Sequence, residues 1–298
     1  MRSRSLAGQV VAVTGGARGI GRATAVALVR RGARVAIGDL DLAAAQRAAG
    51  ELGESASGFA LDVTDRDSFA HFLDAAEQQL GPLYALVNNA GIMPLAPFLE
   101  ESDATARRQI DVNVHGVLFG MKLAIPRMQE RGSGHVVNIA SMAGKVGIPG
   151  GATYCATKHA VVGVSEAVRF ELRGSGVELS VVMPAVVNTE LGSGLPRTPG
   201  VPLVEAEDVA AAIVAALERP RFDVYVPRKL CAIDKVARLL PRRGRDALSR
   251  CLKSDRVLTT PDALERAAYE ARIRAEAVPS RPVEGTDGAE HGRSTSPA

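Results

Sequence analysis

The sequence predicts an α/β protein built on a doubly wound parallel sheet, and three observations carry that expectation. Short runs of β-branched and other apolar residues alternate with longer stretches of helical period. The spacing leaves room for a crossover helix between consecutive strands, which parallel pairing requires. A glycine-rich turn joins the first run to the first helical stretch, and apolar residues make up 46% of the 298-residue chain, enough to cover both faces of a sheet.

The first strand is expected over residues 10–13, where Val10, Val11 and Val13 form a run suited to burial on both faces. It leads directly into Thr14, Gly15, Gly16, Ala17, Arg18, Gly19, Ile20 and Gly21. A helix follows, with Ala23, Val26 and Ala27 apolar and Arg22, Arg30 and Arg31 polar. Further strands are expected at residues 35–37, 58–61, 85–87, 135–139, 178–182 and 223–226, and a helix at 205–217. Residues 192–202, rich in Gly and Pro, read as a connecting loop. In an open sheet of this kind ligands bind beyond the carboxyl ends of the strands, so residues just past those ends are the first candidates for a site.

Two groups of residues there have chemical meaning. Glycines between a strand and a helix permit a tight turn, close approach of backbone to a pyrophosphate, and close helix–strand packing. Asp39 follows the second strand, eighteen residues past Gly21; a carboxylate at that place accepts hydrogen bonds from an adenosine ribose and opposes a 2′-phosphate. Tyr154 and Lys158 stand four apart, thirteen residues beyond Ser141. On a helix they project from one face, where an ammonium beside a phenol is expected to favour its ionised form and bring it toward a useful acid–base range.

With these residues in place the chain resembles the short-chain dehydrogenase/reductase family over roughly residues 8–228. The glycines follow the family's T-G-x-x-x-G-x-G order, and Asp62-Val63, Asn88-Asn89-Ala90-Gly91, Asn113, Ser141, Tyr154/Lys158 and Pro184-x-x-Val187-x-Thr189 occur in its sequence of motifs. Ala185 departs from the pattern, which has Gly after the proline. The resemblance implies a Rossmann-like fold and an oxidoreductase that interconverts an alcohol and a ketone or aldehyde by hydride transfer. It implies that Tyr154 is the acid or base, that Lys158 stabilises its phenolate and holds the nicotinamide ribose, and that Ser141 hydrogen-bonds the substrate oxygen. Asn113 reads either as a satisfied core amide or, as the resemblance implies, as the anchor of a water relay to the lysine. Gly15, Gly19, Ile20 and Gly21 are expected at the pyrophosphate, Asp39 at the ribose, and Asp62 and Val63 at the adenine. Asn89 and Gly91 are expected at the centre of the dinucleotide, and Val187 and Thr189 at the carboxamide. Arg18 suits a 2′-phosphate and Asp39 opposes one, so NAD(H) is favoured with NADP(H) as the alternative. Ile92, Met93, Leu95, Val146, Ile148 and Leu195 suggest an apolar substrate, and residues 192–202 its lid. A dinucleotide-sensing scaffold without turnover is the competing class, opposed by the intact Ser141, Tyr154 and Lys158. The resemblance also implies a homo-dimer or tetramer built through the helices that carry Asn113 and Tyr154.

Composition narrows the field. A formal charge of +3 gives no reason to expect nucleic acid as a partner. Cys155, Cys231 and Cys251 are few, odd in number and without metal-ligand spacing, so neither a metal nor a disulfide framework is expected. No signal-peptide pattern or long apolar run is evident, which predicts a cytoplasmic protein. Residues 1–228 are expected to form the dinucleotide-binding catalytic domain, residues 229–278 a basic helical extension, and residues 279–298 a disordered tail. Residues 228–256 carry ten Lys/Arg against three Asp. Leu230, Ile233, Ala237 and Leu240 share a helical face, and another helix is expected over 262–277. The extension reads as an arm packed on its own subunit; the alternative is peripheral contact with an anionic membrane or a border to the substrate entrance.

Overall fold

A computed structural model describes residues 3–196, 202–251, 257–259 and 261–276. The expected tail, residues 279–298, lies outside the described residues, as do residues 197–201 of the expected lid. In chain order the elements are β1 (Val10–Thr14), α1 (Gly19–Val29), β2 (Arg34–Asp39), α2 (Leu42–Gly50), β3 (Ala56–Ala60), α3 (Arg66–Leu80), β4 (Leu83–Asn88) and α4 (Asp103–Ile110). They continue with α5 (Gly116–Glu130), β5 (Gly134–Ile139), α6 (Ala152–Glu171), β6 (Val177–Pro184), β7 (Val186–Asn188), β8 (Leu203–Glu205), α7 (Ala206–Glu218), β9 (Asp223–Val226), α8 (Leu230–Leu239), α9 (Arg242–Cys251) and α10 (Ala263–Ala275).

Seven strands form one parallel sheet in the order β3-β2-β1-β4-β5-β6-β9. All seven expected strands are present, each within two residues of its expected limits. Register is set by residues buried on both faces: Ala12 pairs with Ala36 on one side and with Leu86 on the other, Leu86 pairs with Val136, and Val136 with Leu179. Two cores result. Phe69, Phe72 and Leu73 of α3 and Met121 and Met128 of α5 pack on one face, while Leu28 of α1 and Val209, Ile213 and Leu217 of α7 pack on the other. Because β2 lies on one side of β1 and β4 on the other, the chain reverses its winding beside β1, and the crevice at that reversal opens past Thr14, Asn88 and Ile139.

The helices end where their residues require. Asp65, Ser102 and Asp262 accept backbone N–H bonds at the starts of α3, α4 and α10, and Glu205 with Asp208 makes a reciprocal box at α7. Helix α1, which opens on the crevice, has neither a side-chain cap nor an acidic residue in its first turn, as is also true of α5, α6 and α8. Its N–H groups therefore remain available to an anion in the crevice.

Candidate active site

A cavity of about 1370 Å³ runs along the carboxyl edge of the sheet. It exceeds the roughly 300–1,000 Å³ of an ordinary small-ligand pocket, leaving room for a dinucleotide and a second reactant. Gly15, Arg18, Gly19, Ile20, Asp39, Asp62, Val63, Asn89, Gly91, Ser141, Tyr154, Lys158, Val187 and Thr189 all line it. Gly21 and Asn113 do not; both act from behind the wall.

Backbone demands explain the glycines. Gly15 has a φ of +61°, and a Cβ on it would lie 2.9 Å from Ala90 Cα. A side chain on Gly21 would collide with the Gly15 carbonyl and the Asn89 amide. The turn is held from the neighbouring strand: Thr14 Oγ1 accepts from the N–H groups of Asn89 and Ala90, both at 3.0 Å, while Asn89 Nδ2 donates to the carbonyls of Thr14 and Gly15 at 2.9 and 3.0 Å. The Asn89 side chain thus braces the glycine-rich turn. Asp39 accepts from Ala17 N at 3.1 Å and Asp41 N at 3.2 Å; burial raises its pKa against these bonds and the nearby Arg18. Shape and donors fit a dinucleotide: a glycine cradle, an uncapped helix start, and a carboxylate where the adenosine ribose would lie.

Beyond β5, Ser141 begins a short turn by accepting from Ala143 N at 3.1 Å. Tyr154 and Lys158, one turn apart on α6, line the same cavity. Lys158 Nζ lies 5.7 Å from the Tyr154 ring centroid and donates to the Ile139 carbonyl at 2.9 Å. Burial lowers the Lys158 pKa to about 8. The acidified phenol expected from the sequence is not what this arrangement gives. Burial pushes the Tyr154 pKa well up and a hydrogen bond with Ser141 draws it back, while Lys158 is turned to a backbone carbonyl.

Asn113 sits in a π-helical turn, Asp111–His115, between α4 and α5. Its Oδ1 accepts from Ile92 N at 2.8 Å, and its Nδ2 donates to Ile92 O at 2.9 Å and Thr157 Oγ1 at 3.1 Å. Of the two readings of this residue, the side chain fits the satisfied core amide, and it clamps the segment after β4 to α6. Ala185, the departure from the glycine pattern, lines the cavity and donates to Val226 O at 2.8 Å.

The C-terminal extension borders the cleft, as one of the sequence-based alternatives has it, with Leu230 and Ile233 lining the cavity; Val257, Leu258, Arg266 and Tyr269 are not anticipated there. Val257 and Leu258 pack with Met93, Ala143, Tyr154 and Cys155, and Leu95, Ile148 and Leu195 join this cluster. Tyr269 of α10, 4% exposed, accepts from Met93 N through its hydroxyl at 2.8 Å and is close enough to Tyr154 to raise its pKa. Arg266, 1% exposed, donates to the carbonyls of Leu191 and Ser193, both at 3.1 Å, and to that of Met93. The helical pattern over 262–277 signalled α10, but no local feature of the sequence tied it to the site.

The family profile described as short chain dehydrogenase matches residues 9–199. The chain belongs to the short-chain dehydrogenase/reductase family. Over 212 residues it is 40% identical to 2-(S)-hydroxypropyl-CoM dehydrogenase 3 of Xanthobacter autotrophicus, spanning 70% of this chain and 83% of that protein. It is likewise 40% identical over 191 residues to a sorbitol dehydrogenase of Cereibacter sphaeroides, spanning 64% and 75%. A short-chain dehydrogenase/reductase from Burkholderia phymatum, solved with NAD, superimposes with a TM-score of 0.72 at 27% identity, covering 79% of this chain and 94% of that one. The protein is an oxidoreductase of this family acting on CH–OH or carbonyl groups.

Proposed function

We propose that this oxidoreductase uses NAD(H) to interconvert a secondary alcohol and a ketone on an apolar substrate, with Tyr154 as acid and base. One observation carries the reading: Ser141, Tyr154 and Lys158 converge on the same cavity as Gly15 and Asp39. The nicotinamide, when bound, supplies or accepts the hydride. In reduction, Ser141 orients the carbonyl oxygen and Tyr154 Oη gives it a proton as the new C–H bond forms. Lys158, cationic below its pKa of about 8, then stands with Nζ 5.7 Å from the ring centroid of the phenolate left behind. Protons return along Lys158 and the water relay that the family resemblance anchors at Asn113. In oxidation the phenolate takes the alcohol proton instead. The buried Tyr154 phenol is held in its protonated form, the form that reduction consumes.

Ile92, Met93, Val146, Ile148 and Leu195 line the cavity together with Val257 and Leu258, which supports an apolar substrate. The half-buried Asp39 supports NAD(H) over NADP(H). A homo-dimer or tetramer through α4, α5 and α6 and a cytoplasmic site of action complete the proposal; among the described residues no helix is long and apolar enough to cross a membrane.

The test is NADH oxidation by the full chain against a panel of steroid, retinoid and aliphatic ketones and ketoses, repeated with Tyr154→Phe. On the best ketone the variant should bind NADH normally and lose at least about a hundredfold in kcat, the lower end of general acid–base contributions. Near-normal turnover of Tyr154→Phe would remove Tyr154 from the proposed role.

A further inference from the structure

The last turn of α10 reaches the far end of the cleft, beside β2. There Arg18 Nη2 lies 2.8 Å from Asp41 Oδ2, and Arg18 Nη1 lies 3.8 Å from Glu276 Oε1. Glu276 accepts from Arg272 Nη1 with both oxygens, at 3.1 and 3.3 Å, and Arg272 Nη2 reaches Glu190 Oε2 at 3.0 Å. Asp39 stands next to this chain of charges, close enough to feel both Arg18 and Glu276. Three carboxylates therefore surround the one guanidinium in the glycine-rich turn, and the second cation, Arg272, is divided between Glu276 and Glu190.

Arg18 is the residue that would otherwise welcome a phosphate on the adenosine ribose. Asp41 occupies one of its terminal nitrogens, and Glu276 stands against the other. Resting on the reading that this cleft holds a nicotinamide dinucleotide, we propose that Glu276, carried in by the C-terminal helix, is a cofactor-specificity residue: by sharing Arg18 with Asp41 it withholds that guanidinium from a 2′-phosphate. Selection against the phosphorylated cofactor then has two sources far apart in sequence. Asp39 repels the 2′-phosphate directly, and Glu276 removes the cation that would offset that repulsion. Both Arg18 and Glu276 are partly exposed, with side-chain exposures of 34% and 26%, so the effect is that of a screened surface pair.

The chain contains no tryptophan, so nicotinamide emission reports binding without protein background from indole. Dissociation constants of NADH and NADPH are measured this way for the full chain, Glu276→Gln, Arg272→Gln, Arg18→Gln and the Glu276→Gln/Arg18→Gln pair. Glu276→Gln should tighten NADPH by up to about fivefold while NADH changes by less than about twofold, the scale of a partly exposed ion pair. The gain should vanish in the Arg18→Gln background, because the effect runs through that guanidinium. Arg272→Gln disturbs the same helix end yet leaves the carboxylate in place, so it should give no gain in NADPH. An unchanged NADPH-to-NADH ratio in Glu276→Gln overturns the proposal, as does an equal gain in Arg272→Gln or in the Arg18→Gln background. A wild-type chain that binds neither dinucleotide overturns the cofactor reading itself, and this one with it.

Discussion

His135 shows at the residue scale how completely the sheet removes a side chain from water. It is 0% exposed, Nε2 lies 2.8 Å from Ser180 Oγ, and Nδ1 has no partner among the described residues. Burial lowers its pKa from 6.5 to about 3, so the ring is neutral in the folded protein at neutral pH. The unfolded chain takes up the proton first as pH falls. The neutral ring's contribution to stability is therefore fully present above pH 6.5 and lost as pH drops toward 3, with a slope of up to about 1.4 kcal/mol per pH unit. Urea unfolding between pH 7 and 4 should show this excess slope in the wild type and not in His135→Gln; equal slopes would mean that His135 is not the linked group. Asp39 is subject to the same desolvation. Its burial raises its pKa, yet two backbone N–H bonds and Arg18 hold that rise in check.

At the scale of elements, α10 behaves as part of the catalytic cleft. Its hold depends on Arg266, whose guanidinium binds carbonyls of two separate loops, after β4 and after β7. Removing the guanidinium leaves three carbonyls without their donor, and α10 then rests on the buried Tyr269 and Ile273, the Tyr269–Met93 bond and the Arg272–Glu190 ion pair. Arg266→Leu is expected to cost roughly 3–5 kcal/mol, the range for breaking a buried charged contact. Most of that cost should appear as local opening of α10. Hydrogen exchange should show loss of protection confined to α10 and residues 190–195, with a higher KM for the ketone and little change in global Tm. Unaltered exchange in α10 would mean that its apolar contacts alone suffice. Helix α8 is fastened differently: Asp234, 7% exposed, accepts from Tyr225 Oη at 2.7 Å and Arg238 Nε at 3.0 Å, which ties the helix to β9.

For the whole molecule the question is what the basic extension faces. Leu230 is buried and Ile233 and Ala237 line the cavity, so the inner side of α8 already has a partner. Outward it presents Val236 and Leu239, 55% and 87% exposed, and the next helix, α9, carries the exposed Arg242, Arg243 and Arg245, of which Arg242 and Arg245 also line the cavity. Among the described residues of the extension the exposed large apolar side chains are Val236, Leu239 and Leu264; at about 1.5–3 kcal/mol of burial each they give too little for a stable anchor without a second signal. The full chain is therefore expected to stay in the supernatant when sedimented with either neutral or anionic vesicles at about 0.15 M ionic strength, where charges are screened beyond about 8 Å. Salt-sensitive sedimentation with anionic vesicles, lost on deletion of residues 229–298, would establish the membrane alternative instead.

The sequence by itself determined the seven strands, the winding of the sheet, the glycine-rich turn with Asp39 beyond it, and the shared face of Tyr154 and Lys158. These features are local. A β-branched run, a turn that only glycine can make and an i, i+4 pair each state their requirement within a few residues. Only the tertiary structure decided that Lys158 turns to the Ile139 carbonyl, that the Asn113 side chain binds Ile92 and Thr157, and that Asn89 braces the turn of Gly15. It also decided that the extension completes the cleft, since Arg266 and Met93 are 173 residues apart in the chain. Periodicity records that a helix must bury one face and leaves open against what. That choice is made by shape and by unsatisfied backbone carbonyls, which exist as a surface only after the sheet has formed.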